Sequence, residues 1–102
     1  MIDIDFIANR IAMLRTAKNV SARDMSLSLG QSQSYINNIE NKKALPSMQM
    51  FLYICEFLDV VPKDFFDEKI IDPKAYNEIS NVLKRLNKDQ INLLLSLADE
   101  MK

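Results

Sequence analysis

A chain of 102 residues is long enough for one hydrophobic core and too short for two independent ones. Apolar residues make up 48% of it and charged residues 26%, a composition that excludes a disordered chain. The 13 Lys and Arg against 14 Asp and Glu leave a net charge of -1, which is not the basic footprint usual for a nucleic-acid binder.

What matters for phosphate is the local face, and Met1 to Ser47 carry six cations (Arg10, Arg15, Lys18, Arg23, Lys42, Lys43) against four anions (Asp3, Asp5, Asp24, Glu40). The sign there is permissive. Cys55 is the only cysteine and histidine is absent, so no intrachain disulfide is available and no Cys/His metal site is expected. With no histidine, no glycine-rich phosphate loop and carboxylates that read as solvated surface groups, an enzyme is not expected, nor any cofactor. Cys55 reads as a small core residue. No charged-then-apolar leader precedes Asp3 and Asp5, which points to the cytoplasm. The longest apolar runs, such as Phe51 to Cys55, fall far short of the roughly 20 residues of a membrane span.

The single glycine, Gly30, and the three prolines, Pro46, Pro62 and Pro73, all suit element boundaries, so the chain reads as all-α with no strand-like alternation. Helix 1 is predicted from about Asp5 to Lys18, with Ile7, Ile11 and Leu14 as its buried stripe and its polar residues facing water. Ser21 caps helix 2, with Asp24 in its first turn, Met25 and Leu29 on one face, and Gly30 as its stop. Ser32 is the expected cap of helix 3, which runs to about Glu40 or Asn41 and buries Ile36 and Ile39. Two helices joined by so short a turn have the geometry of a helix-turn-helix.

Ser47 caps helix 4, predicted to about Asp59, with Met48, Phe51, Leu52, Cys55 and Leu58 as its core stripe. Pro62 opens a short helix ending at Phe65 and Phe66. A linker at about Asp67 to Asp72 follows. Pro73 starts helix 6, with Ile79, Val82, Leu83 and Leu86 as its apolar positions, and helix 7 runs from Lys88 to Met101.

A helical wheel divides the third helix sharply. With Gln33 at zero, Asn37 falls at about 40°, Ser34 at about 100° and Asn38 at about 140°, against about 300° for Ile36 and about 240° for Ile39. The outer arc is wholly neutral and polar. Amides and a hydroxyl can donate and accept at base edges, adenine N6 and N7 being the favoured partner of Asn or Gln, and such a helix fits the major groove. The alternative is a merely solvated outer face.

The segment SARDMSLSLGQSQSYINNIENKKALPS resembles the core of the lambda-repressor and Cro-like helix-turn-helix family, the XRE-type regulators, and RIAMLR before it and MFLYICEFLDVVPKDFF after it extend the likeness from Phe6 to Phe66. The resemblance implies a five-helix DNA-binding domain over residues 1–67, followed by one or two helices in residues 68–102, and a cytoplasmic repressor of transcription. It implies base contacts from Gln33, Ser34, Asn37 and Asn38. Phosphate contacts are expected from Ser32, Tyr35, Asn41, Lys42 and Lys43, with Tyr35 at about 200° on the wheel equally suited to packing. Arg15 and Glu40 match a pair that joins helices 1 and 3 in that family, a structural role, since a buried charge needs a partner. Departures from the pattern are Ala22 where a phosphate-holding Gln is usual, and Lys42 and Asp59 where glycines are usual.

Met50, Tyr53 and Phe57 form a second row on helix 4, which helices 6 and 7 are expected to cover. Ile91, Leu94, Ala98 and Met101 follow a three-four spacing that makes them dimer candidates. The expected partners are therefore double-stranded DNA and a second copy of the chain, with no membrane and no metal. The competing reading keeps the fold but gives it a protein partner, as in an antitoxin or antirepressor; the acidic balance, Ala22 and the extra apolar row favour it.

Overall fold

The computed structural model describes residues 1–101, and among them the only regular structure is helical. The helices are α1 (Ile4–Ala17), α2 (Ala22–Ser28), α3 (Tyr35–Glu40), α4 (Met48–Phe57), α5 (Pro62–Phe65), α6 (Pro73–Leu83) and α7 (Lys88–Glu100). Side-chain oxygens of Asp3, Ser21, Ser47 and Asp72 each accept the N–H three residues on, satisfying a donor that the first helical turn leaves open. Asn87 and Gln90 cap α7 reciprocally, at 2.8 and 3.0 Å.

The first four helices share one ending. The residue after the C-cap turns left-handed, and two N–H groups reach back to carbonyls of the last turn. Asn19 and Val20 bond to Thr16 and Arg15, Gly30 and Gln31 to Leu27 and Ser26, Lys42 and Lys43 to Ile39 and Asn38, and Asp59 and Val60 to Glu56 and Cys55. The left-handed residues are Asn19, Gly30, Lys42 and Asp59, with φ of 59°, 74°, 65° and 57°. Lys42 and Asp59 thus hold a left-handed conformation that glycine adopts more readily. A left-handed L-residue other than Gly or Asn/Asp costs about 1–2 kcal/mol, so the strain is greatest at Lys42.

The core is built from Ile11 and Leu14 of α1, Met25 of α2, Ile36 and Ile39 of α3, four residues of α4 and its C-terminal cap (Phe51, Ile54, Cys55, Leu58), and Val60 and Phe65. Phe51 and Phe65 meet edge to face at 5.0 Å between ring centres. That contact sets the rotation of α4. With Phe51 at the centre of the buried face, Leu52 lies about 100° away. Leu52 is consequently 49% exposed, Met48 in the first turn is 74% exposed, and Ile54 is buried in the core.

The polar side of α1 also departs from expectation, because Arg10 is buried. Its Nε donates to the Phe65 carbonyl at 3.1 Å, Nη2 to Asp67 at 2.7 Å, and Nη1 to Ile70 at 2.7 Å and Ile71 at 3.5 Å, while its Cζ lies 4.8 Å from the centre of the Phe6 ring. Burial lowers its pKa from the ordinary value, with Asp67 and Glu68 opposing. The predicted linker is therefore a turn wrapped around one guanidinium, which satisfies carbonyls that no helix uses.

Residues of α6 pack against α5, and Pro73 is buried. The expected fold-back of α6 and α7 over the second row of α4 is not what covers it. Gln31 Nε2 sits 3.5 Å from Met50 Sδ, and the Lys18 ammonium lies 5.0 Å from the centre of the Phe57 ring. Tyr53 stays half exposed. Gln31 and Lys18 thus lie against Met50 and Phe57, the two ends of the row. No side chain of α7 is buried, and the described chain measures 49 × 27 × 23 Å.

Replacing Lys42 by Gly should raise the free energy of unfolding by about 1 kcal/mol through relief of backbone strain. Arg10→Met should lower it by about 3 kcal/mol by stranding buried carbonyls. Urea unfolding followed by far-ultraviolet circular dichroism measures both.

Candidate nucleic-acid interface

The candidate surface lies on α2, α3 and the turn between them. Gly30 ends α2 with φ at 74°, and nothing lies within 4 Å of where its Cβ would be. Glycine is favoured there by backbone conformation rather than by lack of space. Helix α3 begins later than expected. Its N-cap is Ser34, whose side chain makes no capping bond, and the Ser32 carbonyl accepts the Tyr35 N–H at 3.1 Å in the turn before it. Gln33 and Ser34 therefore sit on the turn leading into the helix, and Asn37 and Asn38 on the helix itself.

The missing cap is supplied from α2. Ser26, fully buried, donates its hydroxyl to the Ala22 carbonyl at 2.7 Å and accepts the Ile36 N–H at 2.9 Å. Ile36 and Ile39 anchor the inner face of α3 with exposures of 0% and 1%. From α1, Arg15 forms a two-point bond to Glu40, Nε to Oε2 at 2.7 Å and Nη2 to Oε1 at 2.9 Å, and its Nη1 donates to the Val20 carbonyl at 2.8 Å. The bond to Glu40 raises the Arg15 pKa, with desolvation opposing. Helices α1 and α2 thus fix the pose of α3.

Gln33, Ser34 and Asn37 are exposed and Asn38 is half-buried. Ser32, Asn41, Lys42 and Lys43 are exposed as well. Tyr35 is half-buried against the core, and burial raises the pKa of its phenol. On α7, Ile91 is half-buried, whereas Leu94, Ala98 and Met101 are exposed.

Most cations of the amino-terminal half are engaged. Arg10 and Arg15 are held as described, Lys18 pairs with Asp59 at 3.2 Å, and Lys42 pairs with Asp5 at 3.1 Å. Among the described residues, no carboxylate lies within ion-pair distance of Arg23 or Lys43. Arg23 instead donates Nε to Gln33 Oε1 at 3.1 Å.

Sequence reasoning missed Ser26, Arg10, Asp5 and the bond between Arg23 and Gln33. A serine beside Met25 in the middle of a short helix is the one local signal for Ser26; the other three depend on tertiary placement. Cys55 is buried, and burial pushes its thiol up to about 11, so it stays protonated at neutral pH. No helix among the described residues is long and apolar enough to cross a membrane.

A family model described as a helix-turn-helix domain matches residues 8–71. No curated protein and no solved structure matches the chain.

Ser26→Ala should cost about 1–3 kcal/mol by leaving the buried Ile36 N–H without an acceptor. Chemical denaturation reads that loss, and a cost below 0.5 kcal/mol, roughly that of an ordinary surface change, would show the bond to be dispensable.

Proposed function

The chain belongs to the helix-turn-helix domain family, and from that premise we propose that it is a sequence-specific DNA-binding regulator of transcription, a repressor acting in the cytoplasm. Residues 1–67 are the DNA-binding domain and residues 68–102 a helical extension used for dimerisation. The observation that carries this reading is the uncharged hydrogen-bonding surface formed by Gln33, Ser34, Asn37 and Asn38 on an α3 held rigidly by α1 and α2. Amide and hydroxyl groups that need no counter-ion suit base edges, and the flanking Ser32, Tyr35, Asn41, Lys42 and Lys43 suit the phosphates on either side. Lys42 leaves Asp5 to do so, a small cost, since exposed ion pairs are worth under about 1 kcal/mol.

A monomer that reads a few base pairs gains little over genomic competitors. Dimerisation through the Ile91, Leu94, Ala98 and Met101 face of α7 would place two reading helices about 34 Å apart and match a two-fold operator. Support comes from that face itself, on which Leu94 and Met101 are exposed in the single chain.

The protein-partner reading keeps one favourable observation, a cleft of about 360 Å³ between α2 and α4, lined by Ser28, Leu29, Tyr53, Glu56 and Phe57. Selection of bound sequences from a random DNA pool separates the two. DNA reading predicts a two-fold consensus; recovery of no consensus at low salt would falsify it.

Against the selected operator, Gln33→Ala or Asn38→Ala should relax preference at individual base pairs, each by about 1–3 kcal/mol. Lys43→Ala should weaken all sequences alike and reduce the salt slope by about 1. Leu94→Glu should shift the chain from dimer to monomer in light scattering at micromolar concentration, and a monomeric parent protein would remove the dimer from the reading.

A further inference from the structure

Among the cations of residues 1–47, Arg23 is the one hydrogen-bonded to a candidate base-reading side chain. Its Nε donates to Gln33 Oε1 at 3.1 Å, both side chains are exposed, and no carboxylate among the described residues is within ion-pair distance. A guanidinium carries five N–H donors in a rigid planar fork. One is used here, which leaves the two terminal nitrogens with their full charge and four donors.

Two consequences follow for Gln33. A free glutamine amide can turn over about its broad, roughly two-fold terminal torsion, exchanging oxygen for nitrogen. An Oε1 that accepts from a cation is held facing that cation, so Nε2 is directed away from it. The oxygen retains its second lone pair. The amide therefore presents one acceptor and its donors in a fixed sense, which is the arrangement a bidentate contact to adenine requires.

Resting on the DNA-binding reading above, we propose that Arg23 couples base reading to backbone binding: Nε orients the Gln33 amide while the terminal nitrogens take a DNA phosphate. Arg23 is a positioning residue for Gln33 and a phosphate ligand in its own right.

The test compares the parent protein with Arg23→Ala, Arg23→Lys and Gln33→Ala by selection from a random DNA pool and by salt titration of binding to the selected duplex. Gln33→Ala identifies the base pair that Gln33 reads. Arg23→Ala is expected to flatten preference at that same base pair by roughly five- to tenfold, and to lower the salt slope by about one. Arg23→Lys, which keeps the charge but not the fork, should retain the salt slope and lose most of the preference. The double variant Arg23→Ala/Gln33→Ala should discriminate no worse at that position than Gln33→Ala alone. If Arg23→Ala leaves the preference intact while weakening all sequences, Arg23 is a phosphate contact only and the coupling is overturned. An unchanged preference with an unchanged slope overturns both halves. A parent protein that selects no sequence removes the DNA-binding reading itself and this inference with it.

Discussion

Ser26 gives its hydroxyl proton to the Ala22 carbonyl and takes the Ile36 N–H, and the candidate interface hangs on that two-way bond. Helix α3 has six residues, too few to be stable alone, and its own N-cap residue makes no side-chain bond. The N–H of Ile36 is one of the first-turn donors that an N-cap side chain ordinarily satisfies. Here the acceptor comes from the preceding helix. Capping and orientation become one interaction, so α3 cannot gain its cap without also taking its angle to α2. Ile36 and Ile39 below, and Arg15 on Glu40 at the far end, then leave α3 little freedom to rotate.

Much of this was legible in the sequence, and the parts that were not share a cause. Serine caps at Ser21 and Ser47, the stop at Gly30 and the prolines opening α5 and α6 are local signals, set by bonds between residues a few positions apart. The buried faces of α1 and α3 followed from periodicity. By contrast, Ser32 looked like the cap because serine two residues past a glycine usually is one, and only the position of Ser26 across the turn shows why α3 starts at Tyr35. Phe51, Cys55 and Leu58 of the expected α4 stripe are in the core, whereas Ile54 replaces Leu52 beside Phe51, which meets Phe65 fourteen positions away. Arg10 looked like a surface cation for the same reason: the carbonyls it satisfies lie in a different part of the chain.

The helix endings show how far geometry can persist without its preferred residue. Four successive helices close on a left-handed residue with the same pair of reverse bonds, yet only Gly30 is glycine. Asn19 and Asp59 are polar short residues that tolerate this conformation, and Lys42 does not belong to that group. Its strain is accepted at the end of α3, where the side chain is half exposed and reaches Asp5. A glycine there would relax the backbone but offer no cation. On the proposed function, that trade places a local strain where a phosphate contact is wanted.

Charge is the property that composition misrepresents most. Arg10 supports a turn, Arg15 supports α3, and Lys18 and Lys42 each sit beside a carboxylate, so counting residues overstates the cation available to a phosphate. Of the six cations in residues 1–47, Arg23 and Lys43 are what remains, one before α3 and one after it. Two unpaired cations give weak, salt-sensitive attraction, too little for a single domain to hold a short site against competing DNA. The thirteen-residue α7 has the complementary deficit, exposed leucines with nothing buried against them, and a helix of that length is marginal in water by itself. Pairing two copies through α7 would ease both deficits at once: it would cover the face that carries Leu94 and bring four unpaired cations, in two sets, onto one duplex. Dimer and operator are on this reading thermodynamically linked, so DNA that spans both half-sites should strengthen the association of the two chains.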